Sequence, residues 1–158
     1  MRNPTALLTA SLLFVACDLD SPTWPVNVPL SLQTVVQAYV SGFTEPRREM
    51  IHSSDEWSGV WQTLHAGLSP VPELPAIDFG REMLVLAATG TRSSGCFQID
   101  VTAATLTRHG KIEIQVVETY PGPACACIAV LTQPVHVVRV ERVPGPESFV
   151  ESRRELRC

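Results

Sequence analysis

Met83-Leu84-Val85-Leu86-Ala87-Ala88, then Gly90-Thr91-Arg92-Ser93-Ser94-Gly95, then Phe97-Gln98-Ile99-Asp100-Val101-Thr102-Ala103: these three successive stretches decide how the chain folds. The first is apolar at every position, the pattern of a central strand covered on both faces. The second is polar and bracketed by glycines, and reads as a turn. In the third, Phe97, Ile99, Val101 and Ala103 alternate with Gln98, Asp100 and Thr102, which gives a strand with one wet face. After His109-Gly110 the alternation resumes as Ile112, Ile114 and Val116 against Lys111, Glu113 and Gln115, so these two strands form a hairpin. Pro121-Gly122-Pro123 interrupts the pattern, and Val135–Val143 takes it up again. Pro144-Gly145-Pro146 leads to a last short strand near Phe149–Arg153.

Upstream of the apolar run lies one clear helix. Ser53 stands three residues before Glu56, a capping-box spacing in which each side chain takes up a free backbone N–H. Trp57, Val60, Trp61, Leu64 and Leu68 follow at helical spacing on one face, so the two tryptophans read as core and not as an exposed aromatic patch. Gly67 supplies the stop, and the three prolines of Ser69–Pro75 impose an irregular connection. Val35–Val40 is β-branched and aromatic, hence strand-like, and a second short strand is expected at Arg48–His52. One helix among many strands predicts an α+β class: a single domain, mainly an antiparallel β-sheet with one packed helix.

The N-terminal segment carries an address. Arg2 precedes an uncharged run, Thr5–Ala16, that is too short to span a bilayer comfortably as a helix, and a small residue then precedes Cys17. This is the pattern of an export signal peptide over residues 1–16. Phe14-Val15-Ala16-Cys17 resembles the lipobox of bacterial lipoproteins, with Phe14 departing from the usual leucine. That resemblance implies a lipidated Cys17 as the mature N-terminus. Residues 17–33, proline-rich and without period, read as the lipidated cysteine followed by a flexible tether; residues 34–158 read as the folded domain. The expected place is the bacterial cell envelope, anchored by lipid, with the domain facing the periplasm or exterior.

Four further cysteines, Cys96, Cys125, Cys127 and Cys158, read as two disulfides in an oxidising compartment. Cys125 and Cys127 are too close in sequence to bridge one another without strain. That leaves Cys96 joined to one of them and Cys158 to the other.

In order and spacing, several of these pieces resemble the C-terminal domain of the PrcB-type protease-complex subunits of bacteria. The resemblance runs through Ser41-Gly42-Phe43-Thr44-Glu45-Pro46-Arg47-Arg48, Asp55-Glu56-Trp57 with Trp61, and Leu74-Pro75-Ala76-Ile77-Asp78-Phe79. It continues through Glu82-Met83, Gly90–Gly95, Pro121-Gly122 and Thr132-Gln133-Pro134-Val135. Gly95-Cys96-Phe97 departs from the glycine–tyrosine often found in the family, and the cysteines mark a disulfide-bearing variation. The resemblance implies an accessory or stabilising subunit for an exported partner, a protease among the candidates, with no catalytic residues to transfer.

The residues themselves point the same way. A formal charge of −4 with no basic run excludes an electrostatic fit to nucleic acid. Cys125, Cys127, His136, His52, His65 and His109 are metal-ligand types at spacings wrong for a zinc knuckle. Ser93 and Ser94 lie outside any Gly-x-Ser-x-Gly pattern, and Asp55-Glu56 fits a helix N-terminus better than an acid–base pair. No cofactor and no enzymatic activity are expected. The best candidate contact is the glycine-flanked turn Arg92, Ser93, Ser94 and Gly95, a polar loop displayed by a rigid sheet. Two other readings stand beside this one: a module that inhibits a protease by filling its cleft, and a hydrolase without a recognisable motif.

Overall fold

The structure, a computed structural model, describes residues 26–158. The signal peptide expected over residues 1–16, the lipidation expected at Cys17 and residues 18–25 of the expected tether lie outside the described residues. Eight strands and a helix follow in order: β1 (Val28–Leu30), β2 (Gln33–Ala38), β3 (Pro46–Ile51), α1 (Ser54–Leu64), β4 (Glu82–Thr89), β5 (Gln98–Leu106), β6 (Ile112–Pro121), β7 (Val135–Glu141) and β8 (Glu147–Leu156). The α+β class and the strand assignments hold, and the strands divide between two four-stranded sheets, β1-β5-β6-β8 and β2-β7-β4-β3, where one sheet was expected. Pairing is antiparallel throughout except for β6 and β8, which run parallel over ten residue pairs from Ile112↔Glu147 to Pro121↔Leu156.

β4 explains the arrangement. Its side chains point alternately to opposite faces, and both faces are apolar. Met83, Val85 and Ala87 meet the other sheet through Ile99, Val101, Ile112, Ile114 and Val116. Leu84, Leu86 and Ala88 meet the helix through Trp57, Val60, Trp61 and Leu64. β7 splits in the same way, with Val138 and Val140 toward the second sheet and Val135 and Val137 toward the helix. The molecule is therefore three layers, helix on sheet on sheet, with its apolar residues in two cores.

The helix begins as its cap predicts: Ser53 Oγ accepts from the Glu56 N–H at 3.3 Å. Glu56 reaches one residue further back than a capping box requires and accepts the His52 N–H at 2.7 Å. Both tryptophans are core, and each also donates its indole N–H to the proline-rich connection: Trp57 to Pro75 O at 3.1 Å and Trp61 to Pro72 O at 2.8 Å. Leu68 does not join them. The helix ends at Leu64 with His65 as its C-cap, so the periodicity stops one turn early and Leu68 is 55% exposed.

Two boundaries move. Val28–Leu30 falls in the stretch whose composition reads as tether, yet it pairs with β5 from Val28↔Leu106 to Leu30↔Ala104, and Gln33 already belongs to β2. A three-residue strand with a proline at its centre has no readable period; only its partner defines it. In β5 a register shift between Val101 and Ala103 changes the phase of the strand, so that Ala104, not Ala103, enters the core.

Truncation on the two sides of the helix end should separate core from surface. Leu64→Ala is expected to cost about 2–5 kcal/mol and Leu68→Ala less than about 0.5 kcal/mol, read from urea unfolding midpoints. Similar losses at both positions would put Leu68 back on the buried face.

Candidate functional site

Three connections meet at one end of the sandwich: the segment after β2, the crossing from β4 to β5, and the long link from β6 to β7. The β4–β5 crossing begins at Gly90, whose φ of +72° and close approach to Pro46 N leave no room for a Cβ, which would sit 2.8 Å away. Beyond it, Arg92 and Thr132 exchange backbone hydrogen bonds at 2.8 and 3.0 Å. The Gly95 N–H donates to Ile128 O at 3.0 Å, and Thr132 Oγ1 donates to Ser94 O at 2.9 Å. The Gln133 N–H donates to Tyr39 O at 2.9 Å, which ties in the segment after β2.

Covalent bonds complete the frame. Cys96 is bonded to Cys127 and Cys125 to Cys158, so the structure selects one of the two pairings the sequence left open. The first bridge fastens the two long loops together. The second ties the β6–β7 link to the C-terminal end of β8, where the Gly122 N–H also donates to Leu156 O at 3.1 Å.

The turn singled out by the sequence sits in this frame, but its four residues play different parts. The Arg92 side chain turns inward, where its Nε donates to Glu118 Oε1 at 3.0 Å and its guanidinium stacks 5.7 Å from the Phe97 ring centre. Ser94 Oγ is buried without a hydrogen-bond partner, and Gly95 is spent on the loop pairing. Ser93 alone faces solvent fully.

What the frame displays is apolar. Tyr39 and Val40 on the segment after β2, and Ile128, Val130 and Leu131 on the β6–β7 link, are exposed there, with Ile128 78%, Val40 67% and Leu131 66% exposed. Apart from the disulfide cysteines Cys125 and Cys127, sequence reasoning assigned nothing to 124–131. The signal was available in Ile128-Ala129-Val130-Leu131, four apolar residues in a stretch without strand alternation. Beside the cluster lies a cleft of about 360 Å³ lined by Gln37, Ala38, Tyr39, Gln98, Ile99, Pro134 and Val135. Its polar groups are engaged: Gln98 Nε2 donates to Tyr39 Oη at 2.9 Å and Gln37 Nε2 to Asp100 Oδ1 at 2.8 Å. Amides and a phenol held this way suit recognition; they do not activate a nucleophile.

The histidines lie apart. His52 pairs with Glu147 at 2.9 Å, His65 stacks on Trp61 at 4.1 Å, and Arg108 Nε lies 3.1 Å from His109 Nε2. His136 is between the sheets, 6% exposed. Its Nδ1 accepts the Val101 N–H at 3.0 Å, which leaves the proton on Nε2 to be donated to Thr34 Oγ1 at 2.9 Å. The imidazole thus joins β7 to the irregular points of both β5 and β2. Burial lowers its pKa below the ordinary 6.5, against a smaller opposite pull from Asp100. Its neutral ring is a structural clasp.

The geometry defines a class: a disulfide-bonded α+β domain that presents an apolar cluster at the tip of a rigid two-sheet frame. The model of one family, PrcB C-terminal, matches residues 83–141, from β4 through β7. The resemblance read from the sequence is therefore shown over the strands that carry the core and the tip. No curated protein and no solved structure matches the chain.

Two outcomes follow from this construction. Replacing Cys125 and Cys158 together by serine removes a bridge spanning 33 residues. It should cost about 3–4 kcal/mol of stability in denaturant unfolding; a loss under about 1 kcal/mol would mean the bridge constrains nothing. For His136 the unfolded chain binds its proton more readily than the folded one, so stability is complete above pH 6.5 and falls as pH drops below it. The thermal midpoint should decline from pH 7.5 to 5.5, and His136→Gln should flatten that decline; a slope unchanged in the variant would assign it to other groups.

Proposed function

We propose that this chain is a non-enzymatic accessory subunit that binds and stabilises an exported partner protein at the bacterial cell envelope, with an exported protease as the partner class. It is held there by a lipidated Cys17 that follows a cleaved signal peptide and begins a short tether. The observation that carries the reading is the family match over β4–β7, because that stretch builds the frame and most of the tip. The disulfides suit an oxidising compartment. Tethering would raise the local concentration of the domain near its partner, so a contact of modest affinity would suffice.

The test is an affinity pull-down from detergent-solubilised membranes, using the full-length chain tagged at its C-terminus and mass spectrometry of bait and prey. Bait carrying a diacylglyceryl group on Cys17 and bringing down one exported protease is the expected result. Adding purified protein to that protease should prolong its active lifetime without lowering its turnover. Lowered turnover would favour the inhibitor reading instead. A lipidated bait that comes alone would sink the protease link, and turnover of a small substrate by the purified chain would overturn the non-enzymatic reading.

A further inference from the structure

The fold has two chemically different ends. At the base, the described chain enters beside the β5–β6 hairpin turn, where the Arg108 N–H donates to Asn27 Oδ1 at 3.1 Å. That turn carries Arg108, His109 and Lys111, with Glu113 beside them, around a shallow recess shared with Val26 and Asn27. At the tip, the loop residues 37–44, 93–99 and 122–134 carry no charge; the charged groups around them are Arg92, paired with Glu118, and Arg153, Arg154, Glu155 and Arg157 at the C-terminal end of β8. The apolar cluster of Tyr39, Val40, Ile128, Val130 and Leu131 lies there. Base and tip are separated by the full length of β5, nine residues, or about 30 Å.

We propose that the tip is the docking face for the partner protein, and that it engages an uncharged, apolar surface of that partner on the side facing away from the membrane. The inference rests on the protein-binding function proposed above and adds the surface and the orientation. Three observations select this occupant. The chain that leads to Cys17 leaves from the base, and the nine residues from Cys17 to Pro25 reach at most about 30 Å fully extended. A lipid on Cys17 therefore brings the base to the membrane, and the basic hairpin turn is the end suited to anionic headgroups. The loops that carry the apolar residues of the tip hold no charge of their own, and Arg92 beside them is paired with Glu118, so these residues fit a protein surface. Finally, the two tip loops are fastened to each other by the Cys96–Cys127 bond and by backbone hydrogen bonds. Little conformational entropy remains to be lost when they bind.

Photo-crosslinking in intact membranes tests the face directly. A benzophenone amino acid is placed at Val40 or Leu131 on the tip, and at Val26 at the base or Val150 on β8 as exposed positions elsewhere. The supporting result is one identified exported protein captured from both tip positions and from neither control. Its co-purification should also fall about tenfold or more in Ile128→Asp and Leu131→Asp, with the thermal midpoint of each variant unchanged. Both side chains are largely exposed, so a charge there has little to disturb in the fold. A partner that co-purifies but crosslinks from Val26 or Val150, or survives both aspartates, would overturn the face while leaving the protein-binding function standing. Tip crosslinks to lipid or to a second copy of this chain would overturn the proposed occupant. No protein prey in either the pull-down or the crosslinking would overturn the function and the face together.

Discussion

β4 has no face that tolerates water, and the rest of the molecule is organised by that constraint. A strand with six consecutive apolar residues must be covered twice. One cover is the helix, whose Trp57, Val60, Trp61 and Leu64 meet Leu84 and Leu86; the other is the second sheet, which meets Met83 and Val85. Neither cover can be withdrawn without exposing half of β4. This explains why, among the described residues, one helix and an otherwise open sheet are joined by a second sheet. It also explains why polar groups collect at the two open sides of the sandwich. On one side Gln37 reaches Asp100 and Tyr39 reaches Gln98. On the other, Arg48 Nε meets Glu151 at 3.2 Å and His52 meets Glu147. Exposed pairs such as these contribute little to stability, but they fix how the sheets align.

His136 plays that aligning part inside the core. A buried neutral imidazole is tolerated only if both ring nitrogens are used, and here one takes the Val101 N–H while the other serves Thr34. Both partners sit at register shifts. The shifts leave backbone and side-chain groups unpaired within their own ladders, and the histidine answers them from a third strand. A valine in its place would pack, yet it would leave the Val101 N–H without a partner, and an orphaned buried donor is costly.

Local pattern was readable wherever local physics sets it. The Ser53 cap, the helical face up to Leu64, the uninterrupted run of β4 and the alternation of β5 and β6 are properties of a few adjacent residues. The sequence hid what depends on distant partners. Alternation in β5 shows that one face is wet, but not that its strand belongs to a different sheet from β4. β1 exists only because β5 offers an edge, and Ala104 replaces Ala103 in the core only because the ladder shifts. The tip was legible in part. Its glycine-flanked turn and its cysteines stood out, and the structure brings them together. The apolar residues at 128–131 did not, because a short run without period looks the same whether buried or displayed. Arg92 looked like a contact residue; its carboxylate partner, Glu118, lies on a strand 26 residues away.

The opposition of base and tip also has a mechanical meaning. A load applied between Val28 and the Cys127 sulfur runs along β5, β6 and β8 rather than across them. Strands pulled lengthwise resist in shear, with all the hydrogen bonds of a ladder strained at once, whereas strands peeled sideways yield one bond after another. The Cys125–Cys158 bond strengthens this geometry by passing force at the tip into the C-terminal end of β8, which then draws on all ten of its pairings with β6. The point of least resistance is β1, held to the sheet by only three pairings. Under tension the domain is thus built to yield first at its base and to keep its tip intact.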